Sequence, residues 1–308
     1  MEKGIVLKST GIHYKVLNSD GFVMDCSIKG KLRIKEFQIT NPIAVGDNVL
    51  FETDKKDESG IITEVLDRRN YILRKATNLS KQSQIIASNI DQVFLMITII
   101  LPETQVEFID RFLITAEAYR ITAKIIINKT DLYKEAEIEK MNYLESMYTK
   151  IGYECIRLSL YENTNLDSLI LQMKDKTSLI SGNSGVGKTT LLNTLNPELR
   201  LKTAKISDSH KQGKHITTFP EMHNMPFGGF VIDTPGIRGF GVVDMEKNEI
   251  YHFFREIFRI SKYCRFNNCL HLEEPGCAVR VAVEKGEIDF LRYRSYLNIM
   301  DGDNRKYR

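Results

Sequence analysis

The stretch SGNSGVGKTTLLN, Ser181–Asn193, decides the fold. Gly182 to Thr189 fits G-x-x-x-x-G-K-[ST], with TSLIS before it as a strand and TLLNTL after it as a helix. Strand, glycine loop and helix in that order make a phosphate cradle. Gly185 and Gly187 let backbone N–H groups turn inward without side-chain obstruction, and Gly182, Asn183, Ser184 and Val186 complete the loop. Lys188 offers a point charge to the β- and γ-phosphates, and the Thr189 hydroxyl is the expected Mg²⁺ ligand. Thr190 opens the helix, whose N-terminal dipole favours an anion.

Two further motifs surround the loop. DTPG, Asp233 to Gly236, follows the buried strand FVI. Asp233 at a strand end can hold Mg²⁺, usually through water, and the Gly236 N–H can meet a γ-phosphate. NKTD, Asn128 to Asp131, follows the strand AKIII. The Asp131 carboxylate can accept from both N1–H and the exocyclic amine of guanine, whereas adenine would leave it unpaired. Asn128 would fix the loop, Thr130 lies within it, and the Lys129 stem can lie along the base. GTP is therefore the expected ligand. Ser159 and Leu160 end RLSL, where guanine-binding proteins often have Ser-Ala, so Leu160 is a departure.

From Asp91 to DTPG, apolar strands alternate with helical spacings, as in VEFIDRFLITAEAYR and KEAEIEKMNYLESMYTKIG. That alternation implies a parallel sheet with helices on both faces. The order, however, is base loop, serine loop, phosphate loop, threonines, DTPG. In guanine-nucleotide switches the base loop usually comes after the phosphate loop. Neither fold nor site requires a chain order, so the arrangement is a circular permutation.

The flanks differ from the centre. Residues 1–70 alternate apolar and polar residues over GIVLKST, HYKVLN, FVMDCSI, KLRI, DNVLFET and GIITEVL, with turn signals between them. The expected fold is an OB-type barrel; a purely structural small β domain is the alternative. Residues 67–85, with Arg68, Arg69, Arg74, Lys75 and Lys81, read as a basic linker at the start of a GTPase domain spanning 71–241. Residues 242–308 read as a helical domain too small for a large core of its own. It carries Cys264-x₄-Cys269-x-His271-x₅-Cys277, three thiolates and an imidazole. Four such ligands suit one structural Zn²⁺ per chain, with no position left for a catalytic water. Arg255, Arg259, Lys262, Arg265, Arg280, Lys285, Arg292 and Arg294 suggest phosphate contact there, if the interleaved glutamates are segregated in space.

The chain has 308 residues, a net charge of +3 and five cysteines. No run of about 18 apolar residues occurs, so no membrane partner is expected. MEKGIVLKSTG lacks the apolar core of a secretory signal, and a cytoplasmic monomer is the expectation.

The whole chain resembles the circularly permuted GTPases that mature the small ribosomal subunit, the ribosome small subunit-dependent GTPase A family. The resemblance rests on GDNV at Gly46, ASNIDQV at Ala87, IDRFL at Ile109, INKTDL, SGNSGVGKTTLLN, HITT, IDTPGIRGFG and CRFNNCLHLEEPGCAV. It implies a GTPase that binds the small subunit and its rRNA, is stimulated by it, and acts in late assembly or its checking. A scaffold that binds RNA under nucleotide control, with hydrolysis incidental, is the alternative.

The family pattern has a threonine run where this chain has HITT, so Thr217 or Thr218 is expected to bind Mg²⁺ in the GTP state. Ile237 follows DTPG where many small GTPases place a water-orienting glutamine. Hydrolysis should then need another group. His215 is the candidate beside Lys188 and Thr217, against the plain reading of His215 as an exposed loop histidine. DTPG also runs directly into the metal domain, so Gly239 to Val242 would couple a switch movement to that domain.

Overall fold

Five short amphipathic strands close on themselves at the N-terminal end. The structure, a computed structural model, describes residues 1–28, 42–54, 59–75, 83–202, 220–233 and 245–302. Strands β1 (Glu2–Ser9), β2 (Tyr14–Asn18), β3 (Val23–Ile28), β4 (Asn48–Asp54) and β5 (Ser59–Val65) pair in the order β1-β2-β3-β5-β4, and β4 returns to β1. Only β3 with β5 is parallel. This is a closed five-stranded barrel of OB type. Residue alternation turns Val6, Tyr14, Val16, Cys26, Val49, Phe51 and Ile62 into its interior. KLRI, expected as a strand, lies outside the described residues.

The stretch read as a basic linker is a hairpin. Strands β6 (Tyr71–Lys75) and β7 (Ser83–Ser88) form a two-stranded antiparallel sheet. Arg68, counted in that basic linker, turns inward. Its Nε and Nη2 donate to Asp47 at 2.7 and 2.6 Å, and Nη2 also donates to the Pro42 carbonyl. Asp47 is fully buried and accepts as well from the Ala44 N–H and the Ser88 hydroxyl. A guanidinium committed to a buried carboxylate is not free for RNA phosphate. Gly46 adopts φ +90°, and a Cβ there would sit 2.3 Å from the Ser88 carbonyl oxygen, so this barrel-to-hairpin joint requires glycine.

The central domain follows the expected alternation: β8 (Gln92–Ile97), α1 (Val106–Ala118), β9 (Thr122–Ile127), α2 (Glu135–Lys150), β10 (Glu154–Arg157), α3 (Leu166–Met173), β11 (Thr177–Gly182) and α4 (Lys188–Leu195). The chain then adds β12 (Glu221–Asn224) and β13 (Phe230–Asp233). The order β10-β9-β8-β11-β13 is parallel throughout. Every residue of β8 is buried, as a central strand covered on both faces demands. One apolar layer gathers Phe112, Leu144 and Tyr148 from α1 and α2; the other gathers Leu169, Leu191 and Leu192 from α3 and α4.

The sheet departs from the purely parallel expectation at one strand. Glu221 to Asn224 falls between HITT and DTPG. It forms β12, antiparallel to β13. Its other edge meets β1, where Lys8 faces Glu221 with a 3.0 Å ion pair. Barrel and central domain are therefore one continuous sheet of eleven strands.

After a short 3₁₀ turn at Ile250–Phe253 come α5 (Arg255–Ser261), α6 (Ala278–Glu284) and α7 (Phe290–Asp301). This lobe lacks a private core. Its apolar cluster of Phe254, Ile257, Val279, Ile288 and Tyr296 includes Ile114 of α1. Arg292 of α7 is fully buried, donating to Asp110 of α1 at 2.5 Å and to Glu256 of α5 at 2.6 Å. The Tyr148 hydroxyl of α2 also donates to Asp110. Burial pushes the Asp110 carboxyl up, against the pull of Arg292. Arg255 bonds Glu117 and the Gly152 carbonyl, and stacks 4.0 Å over Tyr153. Arg255 and Arg292, both expected to face phosphate, are thus spent on the joint between lobes. No helix among the described residues is long and apolar enough to cross a membrane.

Candidate nucleotide site and metal centre

Three loops at the carboxyl ends of β9, β10 and β11 converge. In a parallel sheet, side chains there escape the strand ladder and can face a ligand. Asn128, buried behind β9, donates through Nδ2 to the Val186 carbonyl of the phosphate loop at 2.8 Å. Its own N–H is tied to the Ile97 carbonyl. The next residue, Lys129, takes a left-handed φ of 64° and starts the 3₁₀ turn Thr130–Leu132 that carries Asp131. The Thr130 hydroxyl donates to the Leu158 carbonyl at 3.1 Å. The buried Ser159 hydroxyl donates to Asp131 Oδ1 at 2.7 Å and accepts from the Glu162 N–H. Base loop and serine loop are thereby locked together, with one oxygen of Asp131 used by the protein.

The phosphate loop leaves β11 at Gly182 and enters α4 at Lys188. Gly187 adopts φ +108°, and a Cβ there would fall 2.5 Å from Asn128 Nδ2 and 3.7 Å from Leu160. Only glycine lets the two loops meet so closely. Leu160, the departure from Ser-Ala, therefore lies against the phosphate loop. Lys188 Nζ donates to the Gly182 and Asn183 carbonyls at 2.7 Å each. Burial pulls its pKa down to about 8, and Asp233 opposes that shift. Ser184, Gly185 and Thr190 are exposed, while Thr189 is half-buried. Asp233 ends β13, and its backbone pairs with Ile180 of β11, which puts it beside the root of the loop. His215, Thr217, Thr218 and Gly236, with the coupling segment Gly239 to Val242, lie outside the described residues.

The ligand atoms of Cys264, Cys269, His271 and Cys277 all lie within 4.8 Å of one another. His271 Nδ1 is 3.6 Å from the sulfurs of both Cys264 and Cys277. A tetrahedral ion with bonds of about 2.0–2.3 Å spaces its ligand atoms by about 3.5–3.8 Å, so the cluster fits a metal. The scaffold fixes the imidazole. His271 has φ +60°, its carbonyl accepts from the Tyr293 hydroxyl at 2.6 Å, and Glu274 takes the N–H groups of Leu270 and Leu272. Burial pushes the Cys269 thiol up to about 12 and raises Cys277 as well. Buried thiols crowded this way gain most when a cation replaces their protons.

A family profile described as RsgA GTPase matches residues 65–243, more than half of the chain, and one described as RsgA N-terminal domain matches residues 3–62. The chain belongs to the RsgA GTPase family. GTP hydrolysis is the activity of that family. Similar relatives include the small ribosomal subunit biogenesis GTPase RsgA of Flavobacterium psychrophilum, 52% identical over 99% of this chain and 94% of its own length. The protein of the same name from Christiangramia forsetii is 51% identical, covering 99% and 98%. Among solved structures, YjeQ from Thermotoga maritima superposes with a TM-score of 0.80 at 33% identity, covering 98% of both chains. YloQ, described as a circularly permuted GTPase, superposes with a TM-score of 0.75 at 30% identity, covering 98% of this chain and 94% of its own. A circular permutation, read here from the order of the motifs, is thus also ascribed to a similar protein of known structure.

Sequence reasoning misread Arg68 and Arg292, which bond Asp47 and Asp110, and missed Tyr133, whose hydroxyl accepts from the Ile99 N–H and donates to the Asn128 carbonyl. The partners of the two arginines lie 21 and 182 residues away along the chain, and no motif spacing announces any of the three.

Proposed function

We propose that this protein hydrolyses GTP while bound to the small ribosomal subunit, in the late maturation or checking of that subunit, and that the subunit stimulates turnover. The observation that carries the reading is the 2.8 Å bond from Asn128 to the Val186 carbonyl. It supports one nucleotide spanning base loop and phosphate loop despite their reversed order. On this reading Asp131 selects guanine, with Asn128, Lys129, Thr130, Ser159 and Leu160 around the base. Residues 182–190 wrap the phosphates, Lys188 neutralises them, and Gly236 meets the γ-phosphate. Thr189, Asp233 and one of Thr217 or Thr218 serve Mg²⁺, and His215 orients water. The metal we assign to the cysteine cluster is one structural Zn²⁺, because three thiolates and an imidazole suit it and leave no open position. Domain limits of 1–70, 71–241 and 242–308, a monomer and a cytoplasmic location complete the proposal.

The deciding experiment is GTP turnover with purified small subunits, with large subunits and with neither. Stimulation by small subunits alone is expected. Equal turnover in all three, with tight subunit binding, would replace the enzyme reading by that of a nucleotide-gated scaffold. Replacing His215 with Ala should greatly reduce stimulated turnover and spare GTP affinity; wild-type turnover would remove His215 from the mechanism.

A further inference from the structure

The loop between β8 and α1 touches both halves of the candidate nucleotide site. It is a tight loop held by its own threonines. The Thr98 hydroxyl donates to the Pro102 carbonyl, the Thr104 hydroxyl accepts from the Thr98 N–H, and the Thr104 N–H returns to the Thr98 carbonyl. On one side Pro102 lies against the phosphate loop, where a Cβ built on Gly185 would be 3.4 Å from Pro102 Cδ. On the other side the Leu101 carbonyl accepts from Lys129 Nζ of the base loop. Leu101 itself is 62% exposed with φ +53°, an uncommon conformation for a leucine and one that is held at a cost.

One buried hydroxyl ties this loop to the base loop. Tyr133 follows NKTDL, and its OH accepts from the Ile99 N–H at 2.9 Å and donates to the Asn128 carbonyl. Burial pushes the phenol up to about 12, so it stays a donor. Asn128 is the residue whose side chain reaches Val186. A single side chain therefore spans the loop that carries Leu101, the first residue of the base loop and, through Asn128, the phosphate loop.

We propose that residues 98–104 form a further wall of the guanine-nucleotide site and that Tyr133 is the positioning residue that sets this wall against the base loop. The inference rests on the site assignment made above. Without the phenolic oxygen, the Ile99 N–H and the Asn128 carbonyl lose their shared partner in a buried setting. The base loop then loosens relative to the wall, and nucleotide binding weakens.

The test uses the full-length, metal-loaded protein and its Tyr133→Phe and Thr98→Val variants, with folding checked by circular dichroism. Thr98→Val loosens the wall from its own side, without touching the base loop. Kd for GTP and GDP should rise about tenfold in Tyr133→Phe, the size expected for a buried hydrogen-bonding pair left unmet. The saturating rate should stay within about twofold. The preference for GTP over ITP, which lacks the exocyclic amine, should shrink. Thr98→Val should raise Kd in the same direction. Unchanged Kd in both folded variants, or a lower saturating rate at unchanged Kd, overturns the inference. A wild-type protein that binds ATP as well as GTP would instead overturn the site assignment itself.

Discussion

Lys188 pays for its place by giving up water. Its ammonium is held by two loop carbonyls and stays charged only up to a pH of about 8. Phosphate binds the protonated form, so above that pH binding must take up a proton. GTP affinity is expected to fall between pH 7 and 9, approaching about tenfold per unit beyond the pKa. The fall is not unfolding. Between about 8 and the ordinary 10.5 the unfolded chain holds this proton more tightly, so this group adds stability as pH rises. Titration calorimetry in two buffers of different ionisation heat would count the proton, and Lys188→Arg should flatten the profile, because guanidinium does not titrate there. The left-handed turn at Gly187, the helix start at Lys188 and the strand-end loop of Asp131 follow from local spelling and were legible in the sequence. Arg68, read as part of a basic linker, and Arg292, read as a phosphate contact, were misread because Asp47 and Asp110 stand far away along the chain. Tyr133 gave no signal at all.

At the level of elements, long periodic segments such as α1 and the buried run of β8 were legible, and marginal ones were not. The β6–β7 hairpin is short and its charges suggested solvent. Strand β12 has four residues, EMHN, with no apolar run, and it exists because β13 and β1 offer hydrogen-bonding edges on either side. The joint between α1, α5 and α7 rests on Arg292. Replacing it with Leu strands two buried carboxylates, Asp110 and Glu256, and should cost about 3–5 kcal/mol. Chemical denaturation with a C-terminal probe would measure it; a loss under about 1 kcal/mol would mean the carboxylates reach water. The cysteine cluster makes a separate prediction. Metal analysis should find one zinc per chain, lost in Cys269→Ser. Chelation should lower the melting temperature and free Tyr293 and Tyr296, which bond to His271 and Leu270.

On the scale of the whole molecule, the sequence disclosed three regions and their permuted centre, while the way they join was hidden. The lobes share structure: β12 fuses barrel to central domain, and α7 plugs into α1. Because β12 hydrogen-bonds to β13, which ends in Asp233, a bound nucleotide should steady the barrel's first strand as well. Hydrogen exchange in β1 and β12 should slow on adding a non-hydrolysable GTP analogue, and exchange in β3 should not. Equal exchange in β1 with and without nucleotide would mean that the barrel ignores the site.

The pairing of Lys8 with Glu221 spans 213 residues. A chain emerging from the ribosome can close its barrel long before the strand that anchors it has been made. Until then the Lys8 end of β1 lacks its partner strand, and the newborn barrel is held through Asp47, Arg68 and Ser88 to the hairpin that follows it. This sheet seam forms only after the nucleotide loop has been translated, so a chain arrested before Glu221 should hold its barrel without the tie from Lys8 to the central sheet.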